Sequence, residues 1–313
     1  MGNESDDGAR PARLGVMEIV TATAIMAFSG PLTRFAAMPS MVMTFVRCSV
    51  PALILGIVIL RNRRRSPAKG GGPGQTLRLA AASVLNAARI FLFYQAFALT
   101  SIGNAVVMLY TWPVFATVFG MLILKEAVRP RDALLLAAAL AGVGVVYSGS
   151  TFSFSDEDFL GMTLMLVSAA VYALMLTLIR REGVGRLRAT FWQNLAGAVV
   201  FLPAALGALG ELPGKSWAWS ATNGLAVGTL AFFLFFSSLE RLPAAVVGHL
   251  SYLEVVFALC WAAVLFGEAP TVQVMVGGGL IVASMILRAE LARRESASKA
   301  PERVRSTGRP RNP

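Results

Sequence analysis

Arg47, Arg89 and Glu254 stand inside long apolar runs of this chain. An ionised side chain at mid-membrane costs about 2.5–3.5 kcal/mol on insertion scales, so each needs a partner or a water-filled setting. Arg89 and Glu254 fall near the middle of their runs, and Arg47 lies toward one end. Two guanidiniums against one carboxyl leave one positive charge. That suits a carboxylate or phosphate, which Arg grips through two parallel hydrogen bonds. The competing reading is a structural Arg–Glu pair that locks two helices.

Spacing gathers other polar and aromatic residues around these three. Asn86, Arg89 and Phe93 follow three- and four-residue steps and share a helix face. Ser251, Glu254, Ala258 and Trp261 do the same farther on. Trp112-Pro113 adds an aromatic ring and a missing backbone donor in mid-run, where proline kinks a helix and can free carbonyls. The candidate substrate-binding set is therefore Arg47, Asn86, Arg89, Tyr110, Trp112, Ser251, Tyr252 and Glu254. Gln193 and Asn194 are further polar residues in an apolar run, and single aromatics also serve packing. Glu254 and His249 are the proton-coupling candidates. A lone histidine without an acidic neighbour fits packing better, so Glu254 leads. No nucleophile motif, phosphate loop, metal-ligand spacing or paired-aspartate motif is present. The expectation is no enzyme, no cofactor and no metal. Cys48 and Cys260 read as small buried apolar residues.

The elements that carry these residues follow from composition. Of 313 residues, 56% are hydrophobic and 14% charged, and the mean hydropathy is +0.66. Soluble domains carry about 25% charged residues, so lipid is the expected solvent. A helix needs about 20 apolar residues to cross the hydrocarbon core. Ten such spans are read: 14–33, 40–60, 79–100, 104–124, 132–149, 159–180, 189–209, 222–239, 243–266 and 270–288. A barrel would show alternating segments of about ten residues instead.

Charge orients the spans. With the N-terminus in the cytoplasm, 24 of the 28 Lys and Arg residues fall on the inner side or in the tail. Only Arg34 and Lys215 fall outside, and Arg47 and Arg89 lie within spans. This bias predicts an even number of spans with both termini cytoplasmic. The high pI does not imply nucleic acid, because the basic residues sit in short loops and a tail. Ala22-Thr23-Ala24 resembles a signal-peptide cleavage site, but the apolar run continues past it. The expected organisation is a cytoplasmic segment 1–13, a first five-helix half 14–149, a linker 150–158, a second half 159–288, and a basic tail 289–313.

The halves are related. At an offset of 142, Phe93, Tyr110, Phe115, Ala116, Glu126 and Ala127 fall on Phe235, Tyr252, Phe257, Ala258, Glu268 and Ala269. At an offset of 146, Leu14-Gly15, Arg34 and Thr44-Phe45 fall on Leu160-Gly161, Arg180 and Thr190-Phe191. Five spans per half force the second half to enter from the opposite side, an inverted repeat of the transporter kind. The expected fold is thus all-α, ten transmembrane helices in two inverted five-helix repeats, each rocking as a unit about a shared site. Glu126 and Glu268 are expected to cap the helices that follow them. Gly142, Gly144 and Gly277 to Gly279 give small surfaces for helix packing or a dimer.

Lys125-Glu126 after Val114–Leu124, its echo in Ser251-Tyr252-Leu253-Glu254-Val255 and Gly267-Glu268, and Arg47 in Phe45-Val46-Arg47 resemble the EamA-type members of the drug/metabolite transporter superfamily. The resemblance covers about residues 14–288. Three positions depart from it: Phe28 where a tryptophan is often found, Lys125 for the usual glycine, and Glu254 where proline is common. The resemblance implies secondary transport of a small metabolite in the inner (plasma) membrane, as export or exchange of amino acids or related carboxylate-bearing compounds. Uptake of an organic anion or nucleotide-like metabolite is the alternative, and a membrane scaffold or sensor the alternative of another class. The implied partners are a small-molecule substrate and the lipid bilayer, with the chain as monomer or homodimer.

Overall fold

The computed structural model describes residues 4–62, 73–125, 130–149, 156–180, 186–242, 244–284, 286–287 and 290–291. All regular structure among the described residues is helical. Inside a bilayer each backbone donor and acceptor must find its partner within the chain, and long apolar runs do so as helices. Seven helical stretches are long and apolar enough to cross a membrane. Three shorter apolar helices, Ala133–Tyr147, Leu253–Phe266 and Val272–Ser284, follow or lie between them.

In chain order the helices are α1 (Glu4–Ala27), α2 (Ser29–Ala36), α3 (Ser40–Asn62), α4 (Pro73–Leu99), α5 (Ile102–Leu109), α6 (Trp112–Leu124) and α7 (Pro130–Tyr147). Then come α8 (Glu157–Arg180), α9 (Arg186–Gly207), α10 (Gly214–Leu225), a π-helical turn (Ala226–Ala231), α11 (Phe232–Arg241), α12 (Ala244–Ser251) and α13 (Leu253–Phe266). The last, α14, is Val272–Ser284. Pairs α1–α2, α5–α6 and α12–α13 each continue one run across a break.

Helix boundaries keep the sequence register. The helices α5 and α12 end at Leu109 and Ser251, 142 residues apart. Tyr110 and Tyr252, which occupy the two breaks, are also 142 apart. So are Lys125 and Gly267, the left-handed residues that end α6 and α13 with φ of 55° and 67°.

Packing does not follow the halves. The first helix of each half lies against the other half: α1 packs on α11, α12 and α13, while α8 packs on α4, α5 and α6. The described helices thus pack as two exchanged groups, α1–α2 with α10–α13 and α8 with α4–α6. Between them α3 lies along α9. Gly142 of α7 and Gly277 of α14 meet backbone to backbone. A Cβ at Gly142 would come 2.6 Å from the Gly277 carbonyl oxygen, and one at Gly277 2.5 Å from that of Gly142. Gly144 and Gly279 have nothing within 4 Å of an added Cβ.

The main departure from the expected spans is the eighth. It was read as 222–239, but helix starts at Gly214. Hydropathy penalises Ser216, Ser220 and Asn223, yet all three are buried. Asn223 finds partners in other helices, accepting from the Tyr94 hydroxyl at 2.9 Å and donating to the Ser29 hydroxyl at 3.3 Å. Cys48 is buried as expected, but Cys260 is exposed.

Candidate functional site

Two helix breaks build the site. Pro113 lacks a backbone donor, so the run stops at Tyr110-Thr111 and restarts at Trp112 with proline in the first turn. In the other half the break falls at Tyr252, and Glu254 sits in the first turn of α13. There the exposed amides of the helix N-terminus favour a negative group. The breaks meet. The Tyr110 hydroxyl lies 2.6 Å from the Ser251 carbonyl oxygen and 2.9 Å from a Glu254 carboxyl oxygen. Its ring lies 5.5 Å from that of Tyr252. The phenol carries one hydrogen for two oxygens. That one hydrogen is shared between the Ser251 carbonyl and the Glu254 carboxylate, both of which accept from it.

Arg89 approaches from α4. Its guanidinium lies 4.7 Å above the ring of Tyr172 on α8, and its Nε makes a long 3.4 Å contact to the Asn86 side-chain oxygen. Trp112 meets the same Tyr172 ring edge-on at 5.4 Å. Tyr172 is within electrostatic reach of both Arg89 and Glu254. Among the described residues no ion pair joins Arg89 to Glu254, so the structural Arg–Glu lock is not formed. Arg89, Trp112, Tyr172, Tyr252 and Glu254 are all partly exposed. Phe28, at the α1–α2 break, packs edge-on against Trp261 at 5.1 Å. The Trp261 ring N–H is buried and has no hydrogen-bond partner.

Arg47 makes no hydrogen bond or ion pair with this cluster among the described residues, but is within electrostatic reach of Arg89. It is 7% exposed, on α3, with its guanidinium 5.9 Å from the Phe232 ring. Asn194 donates to the Thr190 carbonyl of its own helix at 2.8 Å and so satisfies itself locally. His249 falls on α12, and its side chain is outside the described residues, as is Glu126.

Sequence reading missed Tyr172 and the Tyr94–Asn223–Ser29 chain. The four-residue step from Ser168 to Tyr172 on α8 was the available signal, since Ser168 donates to the Arg89 carbonyl at 3.0 Å.

Toward one end of the bundle, Arg34 and Glu268 form an ion pair. Each also grips the turn between α4 and α5. Arg34 donates to the Thr100 carbonyl at 3.2 Å, and the Ile102 amide donates to Glu268 at 3.1 Å. A cation thus meets the carbonyl end of α4 and an anion the amide end of α5, as the helix dipoles favour. Glu268 therefore caps a distant helix rather than the following one. On the same turn Asp158 accepts from the Thr100 hydroxyl and from the Asn104 amide nitrogen at 3.0 Å. A second ion pair, Glu18 with Arg241 at 2.7 Å, joins α1 to α11 within one exchanged group.

Residues 13–148 and 159–288 match the EamA-like transporter family. The chain is 24% identical to the uncharacterized transporter YxxF of Bacillus subtilis (strain 168) over 276 residues, 87% of this chain and 88% of that protein. It is 29% identical to the threonine/homoserine exporter RhtA of Escherichia coli (strain K12) over 202 residues, 62% of this chain and 65% of that one. It is 28% identical to human solute carrier family 35 member G1 over 232 residues, 69% of this chain and 63% of that one. A solved crystal structure 20% identical to it superposes with a TM-score of 0.57 over 90% of this chain and 98% of the other, a likeness of fold.

Proposed function

We propose that this chain, which belongs to the EamA-like transporter family, is a secondary transporter of a small amphoteric metabolite, an amino acid or close relative. One observation carries this reading. The Arg89 guanidinium lies 4.7 Å from the Tyr172 ring, Glu254 is within electrostatic reach of that ring, and among the described residues the two do not pair with each other. Unpaired charges are costly in a membrane and need a compensating partner. A substrate with a carboxylate for Arg89 and an ammonium for Glu254 supplies both, with Tyr172, Trp112 and Tyr252 as its walls. Export or exchange is the direction favoured, since one relative is named as an amino-acid exporter. The chain itself works without catalysis.

Alternating access follows from ten spans in two inverted halves, an architecture supported by the recurring helix boundaries and the basic bias of the inner loops. The inner membrane, with both termini cytoplasmic, fits that bias. The exchanged helix groups then rock against each other. The Arg34–Glu268 pair, gripping the α4–α5 turn of the opposite group, holds the outer end closed. Glu254 couples transport to protons, as a carboxyl of the site that can take up a proton when the substrate ammonium leaves.

The test is uptake into proteoliposomes of amino acids, organic anions and cationic drugs, each with and without a pH gradient. Amino acids are expected to move, with flux altered by the gradient. Preference for cationic drugs would defeat the reading.

A further inference from the structure

We propose that Arg47 is a second anion anchor of the transport site, so that the preferred substrate carries an anionic group beyond its α-carboxylate. The inference rests on the reading that Arg89 and Glu254 hold substrate, and it adds the substrate's net charge.

Arg47 is 7% exposed as a whole residue. Its guanidinium has five N–H donors. Among the described residues none of them makes a hydrogen bond or ion pair, and the one specific contact is the Phe232 ring at 5.9 Å. Buried charges are ordinarily paired or hydrogen-bonded, because desolvation is otherwise uncompensated. Groups within electrostatic reach of it among the described residues include Arg89 and Tyr94 on α4 and Cys48 on α3. None of these is a carboxylate.

The protein nevertheless makes room for this head group. Gly228 lies inside the π-helical turn Ala226–Ala231, a distortion that is rare and frequent at functional sites. A Cβ at position 228 would fall 2.7 Å from Arg47 Nη1 and 2.9 Å from its Cζ. The Thr229 hydroxyl donates to the Gly224 carbonyl at 3.2 Å and occupies one acceptor of the widened turn. Glycine at 228 and the wide turn thus seat a guanidinium whose donors the fold leaves open. A planar carboxylate or a phosphate is the group that such a fork takes.

Arg47 and Arg89 share Cys48 and Tyr94 as neighbours, so one ligand can address both. The substrate then presents an ammonium to Glu254, one carboxylate to Arg89 and a further carboxylate or phosphate to Arg47. This makes an acidic amino acid or a phosphorylated one a better fit than a neutral one.

The experiment is calorimetric titration of the purified full-length protein in detergent, at fixed ionic strength, with L-glutamate, L-threonine and inorganic phosphate. L-Glutamate is expected to bind at least about tenfold more tightly than L-threonine, the factor that about 1.4 kcal/mol supplies. Arg47→Gln should cut L-glutamate affinity by about tenfold or more, and L-threonine affinity by a clearly smaller factor. Arg47→Lys should recover part of the loss. Gly228→Ala keeps the charge but displaces the guanidinium, and should weaken L-glutamate as well; it also guards against a misfolded Arg47 variant. Equal affinity for L-glutamate and L-threonine in the wild-type protein overturns the assignment. So does a glutamate-to-threonine ratio that Arg47→Gln leaves in place. If no amino acid binds but phosphate binds in an Arg47-dependent way, the anchor stands and the amino-acid reading falls.

Discussion

The Tyr110 hydroxyl lies 2.9 Å from the Glu254 carboxyl and ties the break in α5–α6 to the break in α12–α13. The register partner of Tyr110 is Tyr252, whose ring is the neighbour of its own. A phenol from one half therefore donates to a carboxyl of the other.

Replacing Glu254 with Gln keeps a hydrogen-bonding neighbour for Tyr110 and removes the titratable group. Glu254→Gln protein should fold and reach the membrane like the wild type. Its substrate flux should no longer respond to an imposed pH gradient, read as the ratio of initial rates with and without the gradient. A ratio equal to that of the wild type would exclude Glu254 as the coupling residue.

Tyr110→Phe leaves the Ser251 carbonyl and the Glu254 carboxyl without their shared partner. Losing a buried hydrogen bond of this kind costs about 1–3 kcal/mol. Thermal unfolding in detergent should show a lowered Tm, and transport should slow by about tenfold or more if that energy is lost at the transport step.

The Arg34–Glu268 grip on the α4–α5 turn should govern access from its end of the bundle. Glu268→Gln removes the charge that holds both Arg34 and the Ile102 amide. In a variant carrying Ser251→Cys, an impermeant maleimide applied from that face should then label the new thiol several-fold faster. No change in labelling rate would mean that the pair is only structural.

The contact of Gly142 with Gly277 is testable by stability alone. Gly277→Ala puts a methyl 2.5 Å from a backbone carbonyl that cannot swing aside. Overpacking of this sort costs about 1–3 kcal/mol. Gly279→Ala, with nothing within 4 Å, should leave Tm unchanged or raise it slightly. Equal effects of the two would refute the close crossing of α7 and α14.

Much of the fold was legible because membrane helices are specified locally, by apolar runs and the residues that end them. The 142-residue register was visible in Tyr110/Tyr252 and Phe115/Phe257, and it reappears in the ends of α5 and α12. Lys125 stood out in sequence for replacing a glycine, and it does adopt the left-handed conformation that glycine takes at Gly267. What was not legible depends on distant partners. Ser216, Ser220 and Asn223 look like loop residues until α2, α3 and α4 enclose them. Tyr172 looks like one more packing aromatic until Arg89 is placed above it. The exchange of α1 and α8 between halves has no local signature, because either packing buries the same apolar faces.

Arg89 and Glu254, which do not pair with each other among the described residues, are proposed to hold the transported molecule. Initial rates of amino-acid transport should be compared in proteoliposomes containing equal amounts of wild-type, Arg89→Ala and Glu254→Gln protein. Arg89→Ala should lower the rate by about tenfold or more, the loss expected from a charge-assisted hydrogen bond of about 1.5–3 kcal/mol. Glu254→Gln should lower the rate as well. Wild-type rates in both variants would contradict this role for the two residues.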